Sequence, residues 1–383
     1  MMHILHIVYS LVPGQYFGGV PKMAFELACA QARLGHRVSI YTTNINGPHH
    51  FPLPSTPLRV HFGPIEVYYF PAQKYGVFFS NSLRHYLHQY GATFDAIHTH
   101  NTYHPLNQYA RQTAARQAIP LFYHTHGCFN PISLHQGFWK AIKKRLYLQL
   151  WEYPGLRRAT GIFVNTEAEQ QEIKKRIPQA TVYELANGVA PPPRQCSKTS
   201  GPIVLVTLSR IHPCKGLHYL IEALHKLPQD HLCLKIIGDF QQDRAYTHRL
   251  QERIRAWGLT DKIKFLGHLN EPQKYEQLCN ADIYCQFSES EGTSLSILEA
   301  MSVGLCCVVS EGCSMHQAAT HHALLACKNG DIQDIVERLL LVVQNSEYRR
   351  SMGIKAQQYI LQHHGWDRLA AKVMAHYPHN SNH

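Results

Sequence analysis

The fold is decided by residues 187–207, NGVAPPPRQCSKTSGPIVLVT, where a proline-rich polar segment precedes an apolar run. Three consecutive prolines followed by small polar residues do not continue a helix or a sheet, so they predict a linker. The run 203–207 is the first strand candidate after that linker. The sequence therefore predicts two folded halves, and 383 residues are enough for each half to bury its own core.

Short apolar runs alternate with helical patterns on both sides of the linker, which is typical of parallel strands joined by crossover helices. The first half contains strand candidates at 3–8, 37–41, 96–98, 120–124, 161–164 and 181–185, with helices near 20–34, 104–118 and 166–176. The second half contains strand candidates at 203–207, 232–237 and 263–266, with helices at 216–226, 244–257 and 294–303 and a mostly helical stretch at 331–378.

These patterns predict an α/β protein with two Rossmann-like, doubly wound domains that face each other across a cleft, where ligands bind in such folds. The expected organisation is an N-terminal domain at 1–190, a linker at 191–201 and a C-terminal domain at 202–362. We expect the helix and tail at 363–383 to return to the N-terminal domain.

The positive charge is concentrated in the first half. Residues 1–194 carry 18 basic and 8 acidic side chains, whereas residues 195–383 carry 19 and 18. The net charge of +11 therefore resides almost wholly in the first half, which suggests an anionic partner there. The sequence lacks the basic and aromatic readout motifs of a nucleic-acid binder.

Composition also bears on location. The first 21 residues contain no basic n-region, and polar residues interrupt their apolar runs, so neither a signal peptide nor a membrane span is predicted. Eleven cysteines without a C-x-x-C pair do not indicate a disulfide framework in a chain of this size. We therefore expect a cytoplasmic protein, at the inner face of a membrane if it is membrane-associated.

Several phosphate-binding motifs are absent. No two glycines are separated by one residue, which excludes the G-x-G-x-x-G dinucleotide fingerprint, and no P-loop is present. There is also no D-x-D, the acidic pair that holds a divalent metal in many nucleotide-sugar enzymes. The paired histidines do not have a catalytic metal spacing. The sequence therefore predicts no metal and no cofactor, and any phosphate must be bound by cationic side chains and helix ends.

One such helix end follows the apolar run 281–287 in the segment 288–301, SESEGTSLSILEAM. Gly292 gives the backbone freedom, and the amides of Thr293, Ser294 and Leu295 are predicted to bind an anion at the helix start. Glu291 precedes the helix and Glu299 lies two turns into it, a spacing that suits a sugar at one end of a diphosphate and a ribose at the other. The alternative is a capped amphipathic helix with two solvated glutamates.

A second candidate is the loop 209–216, SRIHPCKG, at the end of the strand 203–207. Arg210 and Lys215 are placed where a ligand in the cleft would lie, and their charges suit a diphosphate leaving group. A surface loop with two solvated cations is the alternative.

Together, Arg210, Lys215-Gly216 and the Glu291-x7-Glu299 pair within EGTSLSILEAM resemble the retaining GT-B glycosyltransferases of family 4. The resemblance extends over nearly the whole chain. Further matching motifs are Gly18-Gly19-Val20, His126-Gly127, Asn187-Gly188-Val189 with Ala190 replacing the usual acid, and Gly304 with Val308-Val309.

The resemblance implies specific roles. Arg210 and Lys215 hold the donor diphosphate, and Glu299 and Glu291 bind the hydroxyls of the ribose and of the transferred sugar. His126 lies near the reacting face, with His124 as the competing candidate, and Gly18 and Gly19 let the backbone approach phosphate and acceptor. The implied catalytic residues are His126, Glu291, Arg210 and Lys215. The implied donor-binding residues are Gly18, Gly19, Arg210, Lys215, Glu291, Gly292, Thr293, Ser294, Leu295 and Glu299.

The implied reaction is retaining, metal-independent transfer of a hexose-type sugar from a nucleotide-diphosphate sugar to a glycan or lipid-linked acceptor in cell-surface polysaccharide or lipopolysaccharide synthesis. A nucleotide-sugar epimerase or phosphorylase of GT-B-like fold is one alternative. A non-catalytic relative acting as a binding or scaffold subunit is the other.

The segment 138–151, FWKAIKKRLYLQLW, is the most basic and aromatic stretch of the chain. Phe138, Ile142, Leu146 and Leu150 share one helical face, with lysines displaced from it. Such a helix either docks on an anionic bilayer or packs its apolar stripe into the core.

Overall fold

The computed structural model describes residues 1–14, 19–47, 49–73, 78–129, 146–192, 196, 201–228 and 231–378. The chain divides into two compact units. Unit 1 comprises Met1–Gly188 together with Trp366–His383, and unit 2 comprises Val189–Gly365.

Unit 1 is built on an eight-stranded sheet with the order β10-β9-β8-β7-β1-β2-β6-β5. Its strands, including one separate short pair (β3 and β4), are β1 (His3–Ile7), β2 (Arg37–Thr43), β3 (Ile45–Asn46), β4 (His49–His50), β5 (Leu58–Phe62), β6 (Ile65–Phe70), β7 (Ala96–His100), β8 (Leu121–His124), β9 (Gly161–Val164) and β10 (Val182–Glu184). All neighbours in the large sheet are parallel except β5 and β6. The α-helices among the described residues of 1–188 are α1 (Gly19–Arg33), α2 (Asn81–Tyr90), α3 (Leu106–Gln117), α4 (Tyr153–Leu156) and α5 (Glu167–Arg176).

Histidines occupy the centre of this sheet. His6 of β1 pairs in register with His98 of β7, and His100 of β7 pairs with His124 of β8. All four side chains are buried. Parallel strands covered by helices on both faces are normally continuous apolar runs, so buried imidazoles here need hydrogen-bond partners.

Unit 2 contains a six-stranded parallel sheet with the order β13-β12-β11-β14-β15-β16. Its strands are β11 (Ile203–Leu208), β12 (Leu232–Ile237), β13 (Ile263–Gly267), β14 (Ile283–Gln286), β15 (Cys306–Ser310) and β16 (Leu325–Cys327). Its described α-helices are α6 (Leu217–Lys226), α7 (Arg244–Ala256), α8 (Glu271–Cys279), α9 (Leu295–Ser302), α10 (His316–Thr320), α11 (Ile332–Gln344) and α12 (Ser346–His363). The strand order reverses between β11 and β14, which makes their carboxyl ends a ligand-binding position.

The last helix, α13 (Trp366–Met374), belongs to unit 1. It packs on α1, where the Arg33 guanidinium lies 2.7 Å from Asp367 Oδ1. A Cβ at Gly188 would overlap the Trp366 ring, so the close approach of this helix requires glycine there. The predicted two doubly wound sheets and the return of the C-terminal helix to the first half are confirmed.

The unit boundaries differ slightly from the expected ones at 190 and 363. Val189 N donates to His364 O at 3.0 Å, and Val189 also bridges to Gly365. Because these backbone contacts join the two crossing segments, Val189, Ala190 and 363–365 lie in unit 2.

One disulfide, Cys196–Cys279, joins the linker to the end of α8, whereas the nine other cysteines form no disulfide. The prediction from cysteine usage did not anticipate this pair. Its members are 83 residues apart, and only the tertiary fold brings their Cα atoms to 4.9 Å. Among the described helices, none has both the length and the apolar character needed to cross a bilayer.

Candidate active site

Loops at the carboxyl ends of β11 and β14 form one cluster in unit 2. Gly216 has a φ of +64°, and a Cβ there would overlap the carbonyl oxygen of Phe287. Glu289 N donates to Cys214 O at 3.0 Å. These backbone contacts hold the loop 209–216 against the loop that follows β14, so Lys215 and Glu291 come together.

Lys215 and Glu291 form an ion pair with a distance of 2.7 Å between Nζ and Oε1, and each side chain is 13% exposed. Ser288 Oγ and Gln286 Nε2 donate to the same carboxylate oxygen. In the described part of the chain, no hydrogen bond or ion pair involves Glu291 Oε2. The carboxylate is therefore fixed through one oxygen and keeps the other as an acceptor for a ligand hydroxyl.

Gln286 is a buried polar residue that the sequence analysis missed. Its Oε1 accepts from Tyr284 OH at 2.6 Å and from Ser296 Oγ at 2.9 Å, while its Nε2 donates to Glu291. The amide thus connects the Glu291 carboxylate to the first turn of α9. A glutamine within the apolar run 281–287 is the signal that could have identified it.

Helix α9 begins at Leu295, with Ser294 as its N-cap, as predicted to within one residue. The Ser294 side chain makes no capping hydrogen bond and instead contacts Gln286. The first N–H groups of an α-helix have no intrahelical acceptor, so this terminus can bind an anion. Gly292 and Thr293 lie in the loop just before it, and a Cβ at Gly292 would meet open space.

Glu299 is buried in α9, and its Oε1 lies 2.9 Å from Lys274 Nζ. Lys274, on α8, also pairs with Glu271 at 2.8 Å. Sequence analysis missed Lys274, since a lysine on an amphipathic helix is usually solvated. The ion pair offsets part of the cost of burying both charges and fixes the Glu299 carboxylate.

Arg210 lies in the same loop as Lys215 but its side chain is exposed. None of the ion pairs found among the described residues involves it. A solvated guanidinium at the end of β11 keeps all its donors for a ligand.

The other predicted site residues belong to unit 1. His126 lies in the turn after β8 with a φ of +50°, followed by Gly127 at +84°. Gly19 is the exposed first residue of α1, whereas Gly18 lies outside the described residues.

A buried carboxylate holds the His126 turn. Glu169 accepts from Thr125 Oγ1 at 2.8 Å and from the backbone N–H groups of Gly127, Phe129 and Asn165 at 3.1–3.2 Å. Sequence analysis missed Glu169. Its signal was the pattern Thr166-x-x-Glu169 at the start of α5, where Thr166 caps the helix.

The structure separates the two candidate histidines by their exposure. His124 is buried, and neither of its ring nitrogens has a hydrogen-bond partner among the described residues. His126 is partly exposed beyond the end of the strand. Only His126 is accessible to a ligand, although burial lowers its pKa and keeps its ring neutral.

Among the described residues, two overlapping groups of histidines have ring nitrogens within 4.8 Å of one another. They are His6 with His98 and His100, and His100 with His124 and His126. Two of the closest nitrogen pairs, His6–His100 and His100–His126, are separated by 2.8 and 3.0 Å. Those distances are typical of hydrogen bonds with a proton between the nitrogens.

Of the basic and aromatic segment, residues 138–145 lie outside the described residues. In the remainder, Leu146 and Leu150 are each 58% exposed and Trp151 is 46% exposed, whereas Leu148 is buried. The described end of the segment therefore presents Leu146 and Leu150 to the surface and not to the core.

Comparisons with known proteins identify both halves. The profile of the family described as "Glycosyl transferases group 1" matches residues 193–359, and that of "Glycosyl transferase 4-like domain" matches residues 18–188. An uncharacterized glycosyltransferase of Haemophilus influenzae is 25% identical over 219 residues, which are 56% of this chain and 60% of that protein. The match therefore spans less than two thirds of that relative's length.

Two solved structures share the fold over almost the whole chain. Sucrose-phosphate synthase from Thermosynechococcus elongatus has a TM-score of 0.77 at 15% identity, covering 98% of both chains. Anabaena HepE in complex with UDP and glucose has a TM-score of 0.72 at 19% identity, covering 98% of this chain and 99% of that one. With both sheets and both profiles in agreement, the chain belongs to the group 1 glycosyl transferases and has the GT-B fold.

Proposed function

We propose that this glycosyltransferase moves a hexose from a nucleoside-diphosphate sugar to a glycan or lipid-linked acceptor, with retention of anomeric configuration and without a metal ion. The observation that carries the proposal is the Lys215–Glu291 pair beside the N-terminus of α9. It places a cation for the diphosphate next to a carboxylate for the sugar.

Donor binding follows from these groups. Lys215, the exposed Arg210 and the backbone amides of Thr293, Ser294 and Leu295 at the start of α9 neutralise the diphosphate, and Glu299 binds the ribose hydroxyls. The binding of UDP and glucose by HepE supports a nucleoside-diphosphate hexose donor. Gly18 and Gly19 are proposed to approach the phosphate and acceptor through their backbone.

Catalysis is proposed to come from stabilising the charge that develops on the leaving diphosphate. Negative charge accumulates there as the bond to the anomeric carbon breaks. Lys215 and the helix N-terminus are fixed before the reaction begins, and the exposed Arg210 adds a further cation in the same loop as Lys215. Departure and attack on the same face preserve the configuration, with a phosphate oxygen taking the acceptor proton. His126 is proposed to contact a hydroxyl of the transferred sugar.

The experiment is product analysis with a set of isotope-labelled nucleotide sugars, in the presence and absence of EDTA. We expect a glycoside with the donor's anomeric configuration, unchanged by the chelator. An isomerised nucleotide sugar identifies an epimerase, and glycan breakdown that needs inorganic phosphate identifies a phosphorylase. Donor binding without turnover for any acceptor identifies a non-catalytic subunit.

We further propose that the acceptor is anionic or membrane-borne, in cell-surface polysaccharide or lipopolysaccharide synthesis, and that the enzyme works at the cytoplasmic face of the membrane. The +10 charge of residues 1–194 supports this, as do the exposed Leu146, Leu150 and Trp151. Cationic surface and interfacial aromatic or aliphatic side chains together give peripheral membrane binding.

Vesicle co-sedimentation tests this contact. We expect binding to vesicles containing phosphatidylglycerol and little binding to pure phosphatidylcholine. The triple replacement of Leu146, Leu150 and Trp151 by serine should weaken binding about tenfold, because it removes the buried apolar area. The control is Leu361→Ser, which removes a side chain that is 71% exposed in unit 2. Binding that is indifferent to anionic lipid contradicts the proposal.

A further inference from the structure

Three imidazoles and one amide form a continuous hydrogen-bonded series inside unit 1. His126 Nε2 lies 3.0 Å from His100 Nδ1, and His100 Nε2 lies 2.8 Å from His6 Nδ1. His6 Nε2 in turn lies 2.6 Å from Oε1 of Gln31 on α1. We call Gln31, His6, His100 and His126 the imidazole chain. Its inner members are buried, and its outer end is the turn that holds the proposed sugar contact.

Every ring of the imidazole chain is neutral at pH 7. Burial lowers the pKa of His6 to about 4 and that of His126 to about 3, and it lowers the pKa of His100 well below the ordinary value. A neutral imidazole has one N–H donor and one bare nitrogen acceptor. Each ring can therefore donate at one nitrogen only.

The direction of the hydrogen bonds is set at the inner end. The Gln31 amide nitrogen donates to Met374 Sδ at 3.4 Å, so its oxygen faces His6. An amide oxygen has no proton to give, and His6 must therefore donate from Nε2. That leaves His6 Nδ1 bare.

The two outer hydrogen bonds of the imidazole chain take their direction from His6. A bare His6 Nδ1 accepts from His100 Nε2–H, which leaves His100 Nδ1 bare. His100 Nδ1 then accepts from His126 Nε2–H, which leaves His126 Nδ1 bare. Among the described residues no hydrogen-bond donor to His126 Nδ1 is found, and the ring is partly exposed.

We infer that Gln31 is a positioning residue that fixes the tautomer of His126, through His6 and His100, so that His126 offers a ligand an acceptor at Nδ1 and no donor. The inference rests on the proposed function for its ligand: such a nitrogen accepts from a sugar hydroxyl. A carboxylate or carbonyl oxygen in the same place has no proton to donate, so it would face the lone pair of His126 Nδ1 without forming a hydrogen bond. The imidazole chain thus selects a hydroxyl-bearing sugar at this position.

The test is long-range ¹H–¹⁵N correlation spectroscopy of histidine-labelled full-length protein at pH 7, with signals assigned by single His→Gln variants. We expect His6, His100 and His126 all to carry their proton on Nε2. A proton on Nδ1 in any of the three overturns the inference. Stoichiometric divalent metal in the purified protein, with metal-shifted imidazole signals, also overturns it.

Two variants then test the role of Gln31. Gln31→Met keeps the shape but removes the amide oxygen, so His126 should show a mixture of tautomers and kcat should fall about tenfold. Nucleoside-diphosphate affinity should not change. Gln31→Glu keeps an acceptor and should keep the wild-type tautomer. The control is Gln171→Met, an exposed position on α5.

The spectroscopic result separates this inference from the proposed function. Nε2 protonation that depends on Gln31 supports the imidazole chain even in a protein that transfers no sugar. An active transferase whose His126 tautomer is unchanged in Gln31→Met overturns the role of Gln31 and leaves the proposed function standing.

Discussion

Replacing Lys215 with alanine is expected to lower kcat for sugar transfer about 10³-fold while leaving the fold intact. Lys215 Nζ is the cation beside Glu291 at the proposed diphosphate position, and removing one preorganised transition-state donor costs about 10²–10³ in rate. The same change leaves the partly buried Glu291 carboxylate without its counter-charge. Steady-state kinetics with a saturating donor, together with circular dichroism, measure both effects.

The matched control is Lys226→Ala, which removes an exposed lysine on α6 that pairs with Glu222. Its activity should equal that of the wild type. Glu291→Ala should also abolish transfer without unfolding the protein, since it removes the other member of the pair. Full activity in either Lys215→Ala or Glu291→Ala is incompatible with the proposed donor site.

Replacing Glu169 with alanine is expected to destabilise unit 1 by about 3–5 kcal/mol, as measured by chemical denaturation. The carboxylate accepts four hydrogen bonds, and alanine leaves three backbone N–H groups unsatisfied in the interior, while the Thr125 hydroxyl keeps its hydrogen bond to Phe163 O at 3.3 Å. Because two of those donors are in the turn that carries His126, we also expect activity to fall at temperatures where the protein stays folded.

Two other variants sharpen this test. Glu169→Gln keeps one accepting oxygen and replaces the other with a donor, so its loss of stability should be intermediate. Glu167→Ala, an exposed position in the same first turn of α5, should change stability by no more than about 0.5 kcal/mol. Equal effects of Glu169→Ala and Glu167→Ala would show that the Glu169 hydrogen bonds contribute nothing.

Strong local sequence patterns predicted most strands of the two large sheets. The apolar runs at 161–164 and 232–237 coincide with β9 and β12, because strands buried on both faces need continuous apolar residues. The hairpin of β5 and β6 was missed. In β5, exposed Arg59 and His61 alternate with half-buried residues, and such a strand at the sheet edge carries no apolar run. Helix α2 was missed for a similar reason, since it buries only Leu83 and Leu87.

The candidate active site likewise contains residues that the sequence predicted and residues that it did not. Lys215 and Glu291 could be predicted because loops that end neighbouring parallel strands meet at one edge of a sheet. The contacts of the supporting residues Gln286, Lys274 and Glu169 could not be predicted, since each depends on which distant group the fold brings to the side chain. Gln286 and Glu169 have local signals in the sequence, but those signals do not name the partner.

The discontinuous build of unit 1 has a consequence for synthesis on the ribosome. Unit 2 is one continuous stretch, Val189–Gly365, and can fold as soon as it has emerged. Unit 1 cannot complete its fold until its C-terminal segment has been synthesised, because Gln31 contacts Met374 and His98 Nδ1 lies 2.6 Å from the hydroxyl of Tyr377. The half of the chain that is translated first is thus the half whose fold is completed last, after residue 377 has been added.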